Sequence, residues 1–282
     1  MKTLSPAKIN LTLQIFGRRP DGFHELATWM VPISLYDSLE IDVAEEDSIS
    51  ANIPDLRNDQ SNLVVRARDL FAETTGIRAT YRISLEKNIP MGAGLGGGSS
   101  DAAATLRLLN QLHGEPLDVQ RLRELAARLG SDVPFFIEPN SFWCTGRGEV
   151  MEQKGLDRNL WACLFKPEFG VPTAAAYQAY ARLPEGEKKG ELQETKWGLL
   201  RNDLEQAVFR KYLLLPVIKE WLKQQPETIV ALMSGSGSTM FALVKDEATG
   251  RALIERFRSK FGDRIWSWVG WLNPAENLGS RS

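Results

Sequence analysis

A glycine-rich segment, residues 87–101, constrains this chain more than any other part of it. Five glycines lie within residues 92–98, and the next three residues are Ser-Ser-Asp. The apolar periodicity of residues 102–112 then indicates an amphipathic helix. Glycines allow a ligand to approach the main chain, and the first N–H groups of a helix attract negative charge. The segment therefore predicts a phosphate-binding loop rather than a mobile linker capped by serine.

The spacing of the glycines separates this segment from two common phosphate motifs. A P-loop requires Lys-Ser or Lys-Thr after the last glycine, whereas Ser99 and Ser100 follow Gly98. A Gly-x-Gly-x-x-Gly spacing beginning at Gly92 is present but is weak evidence for a dinucleotide site. The longer pattern that begins at Pro90, Pro-x-Gly-x-Gly-Leu-Gly-Gly-Gly-Ser-Ser, resembles the central ATP-binding motif of the GHMP kinases. This superfamily includes galactokinase, homoserine kinase, mevalonate kinase and phosphomevalonate kinase.

The resemblance implies that ATP is the phosphoryl donor and that it binds along this segment. The residues it assigns to the nucleotide are Lys87, Pro90, Gly92, Gly94, Leu95, Gly96, Gly97, Gly98, Ser99 and Ser100. Adenine would lie near residues 62–64 and Lys87, although those stretches are generic. Mg²⁺ would arrive with ATP, with Ser100 as a weak ligand candidate and no dedicated protein metal site.

The N-terminal segment predicts a half-buried strand over residues 9–15, because apolar and polar residues alternate there. Lys8 and Asn10 share the polar phase. A lysine at the start of a strand is more often solvated than functional. Residues 5–11, Ser-Pro-Ala-Lys-Ile-Asn-Leu, resemble a motif of the GHMP branch that phosphorylates 4-diphosphocytidyl-2-C-methyl-D-erythritol, in the non-mevalonate route to isoprenoid precursors. The resemblance implies that Lys8 is catalytic and that Asn10 orients the substrate.

Two further segments suggest how a cytidyl group would be held. Phe23 and His24 follow a Pro-Asp-Gly turn, where a histidine can equally be a surface residue. The branch has an aromatic-histidine pair here that stacks on cytosine and hydrogen-bonds to it, usually with tyrosine where this chain has Phe23. Thr173 opens a helix and reads equally well as its N-cap. By resemblance, Thr173 contacts substrate and Tyr177 closes the other face of the cytosine.

Asp132 is the candidate catalytic base. It lies in the run Gly-Ser-Asp-Val-Pro-Phe-Phe, where a carboxylate before Pro134 can simply cap a helical turn. The segment resembles the Asp-Val-Pro-Phe-Phe motif of the branch, whose aspartate takes the proton from the substrate hydroxyl. The resemblance also implies that Lys8 pairs with Asp132 and keeps it ionised.

A second glycine-serine segment, residues 234–238, follows a predicted strand and can be a flexible hairpin. It resembles the third GHMP motif, which packs beside the phosphates. The resemblance implies that Gly235 and Ser236 contact the substrate. Residues 202–204, Asn-Asp-Leu, also match a short segment of the branch, for which the sequence suggests no role.

The pattern predicts separate strands over residues 23–35 and 39–43, a helix that Ser61 caps and Gly76 ends, and a polar loop over residues 184–195. His113 lies in a turn at a helix end and is expected to be structural. The order of predicted elements indicates an α+β protein with two domains. By resemblance, residues 1–154 form an ATP-binding and catalytic domain, an α/β domain like that of ribosomal protein S5. Strands and helices of residues 155–282 follow the order β-α-β-β-α-β, which is ferredoxin-like once the insertion over residues 184–225 is set aside. The tail after Pro274 is expected to fray.

Composition excludes several other classes. The net charge of −2 gives no basic footprint for nucleic acid, and no apolar run is long enough to span a membrane. Cys144 and Cys163 lack metal-ligand spacing and are expected to be buried thiols, and two histidines cannot form a multi-histidine site. The N-terminus lacks a signal-peptide pattern, which predicts a cytoplasmic protein, and we expect a monomer or weak homodimer.

These patterns together predict ATP-dependent phosphorylation of the 2-hydroxyl group of 4-diphosphocytidyl-2-C-methyl-D-erythritol. One alternative is another GHMP kinase that acts on homoserine or a mevalonate derivative, substrates that carry no base to stack. The other is a GHMP-fold module that binds nucleotide without transferring phosphate.

Overall fold

The structure is a computed structural model, and it describes residues 1–53, 59–156 and 160–273. The strands are β1 (Lys2–Arg18), β2 (His24–Ala44), β3 (Ser48–Ala51), β4 (Thr80–Glu86), β5 (Phe142–Thr145), β6 (Val150–Gln153), β7 (Trp161–Lys166), β8 (Gln193–Thr195), β9 (Gly198–Leu200), β10 (Val230–Met233), β11 (Met240–Val244) and β12 (Trp266–Trp271). The helices are α1 (Leu63–Thr75), α2 (Gly97–Leu112), α3 (Val119–Leu129), α4 (Thr173–Ala181), α5 (Glu205–Phe209), α6 (Leu214–Lys223) and α7 (Glu247–Phe261). Short 3₁₀ turns lie at Pro134–Phe136 and Glu185–Glu187.

A six-stranded sheet forms the N-terminal half, with β2 at its centre. β2 pairs antiparallel with β1 along most of its length, and with β4 and β5 on its other edge. β3 adds to β4 in parallel and β6 adds to β5. Strands β1 and β2 therefore form a long ribbon that carries the N-terminal motif of the chain to the centre of the molecule.

The continuity of β2 corrects a prediction. The sequence suggests two separate strands, over residues 23–35 and 39–43, because polar residues intervene. The polar Asp37 does not end the strand because it is fully buried and its Oδ1 accepts the N–H groups of Asn88 and Ile89, at 2.6 and 2.8 Å. A buried polar group whose hydrogen bonds are all made need not break a sheet.

Helices α1, α2 and α3 cover one face of this sheet through a common apolar core. Asn62, not the predicted Ser61, caps α1, since its Oδ1 accepts the Val64 N–H at 3.0 Å. The predicted end of α1 at Gly76 is confirmed, with φ +73° at that residue. His113 is structural as predicted, because its Nε2 lies 2.7 Å from the Tyr81 hydroxyl.

Strand β1 is buried on both faces, so the half-buried strand predicted from its alternation is wrong. Its apolar face, which includes Ile9 and Leu11, packs against Leu232 and Phe241 of the C-terminal sheet. Its polar face is covered by the glycine segment, where Lys8 is only 3% exposed. The alternation assigns the two faces correctly but cannot show that distant parts of the chain cover the polar one.

The C-terminal half is a four-stranded antiparallel sheet in the order β10-β11-β7-β12. Helices α4 to α7 pack on one face. The other face packs on β1 and β2 in a core that both halves share. This strand order confirms the ferredoxin-like prediction.

Two further predictions concern the connections. The segment up to residue 195 that is predicted as a polar loop also contains strand β8. This strand pairs with β9 in a hairpin, with Gln193 opposite Leu200. The proposed boundary at residues 154/155 falls between β6 and β7, beside residues 157–159, which lie outside the described part of the chain. The tail after Pro274 also lies outside the described residues. Both cysteines are free and buried, as predicted.

Candidate active site

A cleft of about 1190 Å³ opens between the two halves of the molecule. From the N-terminal half, β1, the glycine segment and the loop before Pro134–Phe136 line it. From the C-terminal half, the start of α4 and the loop between β10 and β11 line it. The cleft therefore brings together all the sequence motifs with predicted functional roles, whereas the Asn-Asp-Leu segment, for which no role was predicted, does not line it.

Close backbone packing explains why the glycine segment tolerates no side chain at its centre. A Cβ on Gly94, which has φ +76°, would lie 2.1 Å from the Ser234 carbonyl oxygen. A Cβ on Gly96, which has φ +74°, would lie 2.8 Å from the ring of Phe136. Each conformation is one that residues with a side chain rarely adopt. The loop thus lies directly against the C-terminal domain on one side and the Asp132 segment on the other.

Helix α2 begins inside the glycine run, at Gly97, with Gly96 as its N-cap. The N–H groups of Gly97, Gly98 and Ser99 consequently have no acceptor within the helix. The Ser100 N–H, in contrast, donates to the Gly96 carbonyl at 2.9 Å. The Ser100 hydroxyl remains, because its Oγ is buried and has no hydrogen-bond partner among the described residues.

Lys8 projects from β1 towards the start of this helix. Its Nζ donates to Asn10 Oδ1 at 2.6 Å and to the Gly94 carbonyl at 3.1 Å. The same Nζ lies 3.4 Å from Asp132 Oδ2, so the predicted pair forms an ion pair. Lys8 is a buried cation whose nearby acceptors all lie at the cleft, rather than a solvated strand residue.

Asn10 is held by a chain of hydrogen bonds across the β1–β2 ribbon. Its Nδ2 donates to Thr28 Oγ1 at 2.7 Å, and that hydroxyl donates to the Thr12 carbonyl at 2.7 Å. This chain fixes the Asn10 amide with its oxygen towards Lys8. Thr28 is therefore a positioning residue that the sequence does not single out.

Asp132 does not cap the turn that follows it. Val133 occupies the cap position of Pro134–Phe136 and makes no side-chain cap bond. The Asp132 side chain is 40% exposed and faces the cleft, with Lys8 beside it. Its orientation is thus set by the ion pair and by the buried aromatic turn behind it.

His24 and Tyr177 meet across the cleft from opposite halves. Their ring centroids are 5.1 Å apart at an interplanar angle of 29°, which is a direct stacking contact. Burial, with the nearby charges of Arg18 and Lys188, lowers the pKa of His24 below its usual value. The imidazole is therefore neutral at pH 7 and offers one donor and one acceptor nitrogen.

Thr173 and Ser236 form the remaining contact across the C-terminal side. Their hydroxyl oxygens are 3.0 Å apart, and Pro172 rather than Thr173 occupies the N-cap position of α4. A Cβ on Gly235 would lie 3.2 Å from Asn10 Oδ1 and 3.4 Å from Lys8 Nζ. The loop of residues 234–238 thus packs against Lys8 and Asn10, the two residues of β1 with predicted roles in the reaction.

Comparisons with known proteins agree with this arrangement. The sequence profile of the GHMP kinases N terminal domain matches residues 62–138, and that of the GHMP kinases C terminal matches residues 187–263. A 4-diphosphocytidyl-2-C-methyl-D-erythritol kinase from Methylacidiphilum infernorum (isolate V4) is 42% identical over 283 residues, which cover 94% of each chain. One from Syntrophotalea carbinolica is 40% identical over 94% of this chain and 96% of its own.

The chain belongs to the 4-diphosphocytidyl-2-C-methyl-D-erythritol kinase family. A crystal structure of 4-(cytidine 5'-diphospho)-2C-methyl-D-erythritol kinase matches with a TM-score of 0.80 at 35% identity, over 97% of this chain and 99% of that one. The fold extends to a homoserine kinase from Cytophaga hutchinsonii, with a TM-score of 0.71 at 20% identity over 97% and 95% of the two chains. The GHMP kinase assignment and its two-domain α+β fold, predicted from the motifs, are confirmed.

Lys87 lines the cleft beneath the glycine segment and is held by two buried carboxylates. Its Nζ lies 2.6 Å from Asp101 Oδ2 and also contacts Asp37, so two buried carboxylates hold it. Ser5 donates to the other Asp101 oxygen at 2.7 Å. Burial raises the pKa of Asp101 to about 6, with Lys87 opposing the shift and Asp37 adding to it. The Lys87 amine therefore ties β2 to the start of α2 beneath the glycine segment.

Arg147 is a cleft residue that sequence reasoning passed over as part of a Gly-Arg-Gly turn. Its guanidinium lies 4.7 Å from the centroid of the Phe23 ring, and it lines the cleft. Phe23 is exposed, as expected of a ring that awaits a ligand. The sequence does show a cation in a tight turn one strand after Asp132. The residues around that turn do not indicate that it lies beside Phe23.

Among residues 1–53, 59–156 and 160–273, no helix has the length and apolar character needed to cross a bilayer. The same part of the chain contains no cluster of three or more histidine, cysteine, aspartate and glutamate side chains suited to a metal ion.

Proposed function

We propose that this kinase transfers the γ-phosphoryl group of ATP to the 2-hydroxyl group of 4-diphosphocytidyl-2-C-methyl-D-erythritol. The observation that carries the proposal is the ion pair between Lys8 and Asp132, 3.4 Å apart, in one cleft with the glycine segment and the His24–Tyr177 ring pair. The substrate follows from the relatives, which are named as kinases of this compound.

Asp132 accepts the proton of the substrate hydroxyl. Phosphoryl transfer requires positioning, charge neutralisation and an acceptor for this proton. The Asp132 carboxylate reaches the cleft and lies 3.4 Å from the Lys8 ammonium. The same ammonium stabilises the negative charge that develops on the attacking oxygen. Asn10, through its bond to Lys8 Nζ, keeps the ammonium aimed at both.

The glycine segment binds the phosphates of ATP. The free N–H groups of Gly97, Gly98 and Ser99 and the dipole of α2 supply the attraction. The buried Ser100 hydroxyl, which lacks a partner among the described residues, suits a hard cation such as Mg²⁺ or a phosphate oxygen. When bound, Mg²⁺ neutralises charge on the phosphate oxygens. Lys87 also lines the cleft, and the two carboxylates that hold its ammonium leave one of its three N–H donors for the nucleotide.

The cytidyl group binds between the N-terminal turn and α4. Tyr177 contacts the imidazole of His24 and so holds it in place, and the same Tyr177 ring closes the face of the cytosine opposite Phe23. The neutral His24 edge then hydrogen-bonds to the cytosine, and the exposed ring of Phe23 offers the stacking surface. Arg147 beside Phe23 adds positive charge near the expected diphosphate.

A substrate panel tests this function. Phosphorylation by ATP is measured with 4-diphosphocytidyl-2-C-methyl-D-erythritol, its uridyl analogue, methylerythritol phosphate, homoserine and mevalonate. We expect turnover of the cytidyl compound and little of the others. Preferred turnover of homoserine or mevalonate would contradict the cytidyl pocket while leaving the phosphate loop intact. ATP binding with no transfer to any acceptor would contradict the catalytic assignment.

A further inference from the structure

The Asn-Asp-Leu segment, residues 202–204, lies against the catalytic strand. It follows β9 and runs beside β1, where the Leu13 N–H donates to the Arg201 carbonyl at 2.8 Å and the Asp203 N–H donates to the Leu13 carbonyl at 2.9 Å. Asp203 Oδ2 also accepts the Ile15 N–H at 2.8 Å. A segment of the C-terminal half is thereby locked in register with the strand that carries Lys8 and Asn10.

The Asn202 side chain then holds the second glycine loop. The residue has no exposed surface, and its Nδ2 donates to the Met233 carbonyl at 2.7 Å and the Gly235 carbonyl at 2.8 Å. Its Oδ1 accepts the Leu204 N–H at 2.9 Å. Both amide hydrogens and the oxygen are engaged, so the side chain has a single favourable orientation.

Glu205 holds the same loop from its other side. Its buried carboxylate accepts the Met233 N–H at 2.8 Å and pairs with Lys219 Nζ at 2.6 Å. The end of β10 is thus bonded to Asn202 through the Met233 carbonyl and to Glu205 through the Met233 N–H. Together these bonds define where the chain leaves β10 and enters the loop.

The loop held in this way lies at the reacting centre. Ser234 Oγ donates to the Gly94 carbonyl at 2.9 Å, and Gly94 is also an acceptor for Lys8 Nζ. A Cβ on Gly235 would be 3.4 Å from Lys8 Nζ, so the loop backbone packs closely around the ammonium. A shift of Gly235 by a few tenths of an ångström would therefore disturb the lysine and the phosphate segment together.

We propose that Asn202 is a positioning residue for phosphoryl transfer, which sets the Gly235 carbonyl and hence the glycine loops relative to Lys8. The proposal rests on the function proposed above for the same cleft. Asn202 touches no reacting atom and lines no part of the cleft. Replacing Asn202 should therefore change the alignment of the reacting groups. A small misplacement of these groups lowers the rate of transfer far more than it weakens substrate binding.

The test compares Asn202→Ala with Asn110→Ala in steady-state and thermal unfolding assays. Asn110 is a matched control because it is also buried and also bonds to a backbone N–H and carbonyl, both of Leu117, away from the cleft. We expect both variants to lose similar thermal stability. Only Asn202→Ala should lose kcat, by about 10- to 100-fold, while KM for ATP changes less than threefold.

A second variant, Asn202→Asp, keeps the shape and the acceptor for Leu204. Between two carbonyl oxygens this buried carboxyl can donate only when protonated, so its kcat relative to wild type should fall as the pH rises. A kcat for Asn202→Ala equal to that of Asn110→Ala, with a flat pH profile for Asn202→Asp, would overturn the proposal. Wild-type turnover in the same assay tests the proposed function separately, and the kcat ratios are measured on whichever acceptor the wild type phosphorylates.

Discussion

At the scale of single residues, the site depends on the buried ammonium group of Lys8. Lys8 is nearly inaccessible, yet its ammonium reaches Asp132, Asn10 and the glycine segment. Burying an ammonium is costly unless charge and hydrogen bonds compensate, and the partners of Lys8 all lie at the cleft. We therefore expect Lys8 to serve the reaction rather than solubility.

Replacing His24 should weaken recognition of the cytidyl group specifically. His24→Ala removes one hydrogen bond to the base, so we expect KM for the cytidyl substrate to rise about tenfold, with a smaller change in kcat. Because the pKa of His24 is lowered and the ring is neutral, the wild-type KM should stay flat between pH 7 and pH 8. Steady-state kinetics at several pH values measure both effects.

The control for this variant is His113→Ala. His113 is the other histidine of the chain and contacts Tyr81 and Phe71 away from the cleft. It should lower the unfolding temperature and leave KM unchanged. If His24→Ala raised KM equally for an acceptor that lacks the cytidyl group, the result would contradict the role assigned to His24.

The Asp101 carboxyl should make the free energy of unfolding depend on pH. Its pKa is about 6 in the folded protein and close to 3.8 when unfolded, so the folded state binds more protons between these values. Raising the pH from 4 to 6.5 therefore destabilises the wild type relative to Asp101→Asn, by about 1–3 kcal/mol. Asparagine keeps the shape and one acceptor oxygen, for either Ser5 or Lys87, and carries no titrating charge.

Urea unfolding of both proteins at intervals across this pH range measures the difference. Subtracting the two curves removes the contribution of all other groups. Parallel curves would show that Lys87 compensates Asp101 fully and that burial leaves its protonation unchanged.

At the scale of elements, the glycine segment works as a junction between the two halves. We propose that it binds phosphate on one side, and on the other side it contacts the 234–238 loop through Gly94 and Ser234. The start of α2 within the glycines is what leaves three N–H groups free at the cleft. Helix α2 and the loop are therefore one functional unit.

Gly94→Ala should disrupt this junction. The added methyl group would lie 2.1 Å from the Ser234 carbonyl oxygen, so the two loops must separate. We expect kcat/KM to fall at least 100-fold, because the phosphate site and the loop beside Lys8 both move. Kinetics and thermal unfolding are measured together.

Gly114→Ala provides the comparison, because Gly114 has a similar φ of +74° and no described atom within 4 Å of an added Cβ. It bears the same backbone strain, about 1 kcal/mol, without the clash. Similar activity in the two variants would show that the contact between the loops is not needed for transfer.

At the scale of the whole molecule, β1 and β2 bring the motifs together by lying between the two halves. Much of this was predictable, because Lys8 and Asn10 share a strand phase and the glycine segment precedes a helix. The burial of the polar face of β1 was not, since the covering residues come from far along the chain. The pairing of Lys87 with Asp37 and Asp101, and of Arg147 with Phe23, likewise joins segments that no local pattern connects.

The shared core also explains why the cleft has fixed geometry. Leu232 and Phe241 of the C-terminal sheet pack on Ile9 and Leu11 of β1, so the two halves bury a common apolar surface. The cytoplasmic location, the monomer or weak homodimer state and the domain boundary stay predictions from the sequence.

The most direct test of the account is single-turnover phosphoryl transfer by Asp132→Asn, with saturating ATP and the cytidyl substrate. Asparagine preserves the shape of the side chain but cannot accept the hydroxyl proton, so we predict a transfer rate about 10²–10⁴-fold below wild type. ATP affinity, measured by calorimetry, should stay within threefold of wild type, because the proposed phosphate contacts are the free N–H groups of α2 and do not include Asp132. A transfer rate near that of wild type would contradict the assignment of Asp132 as the base, and with it the central claim about this cleft.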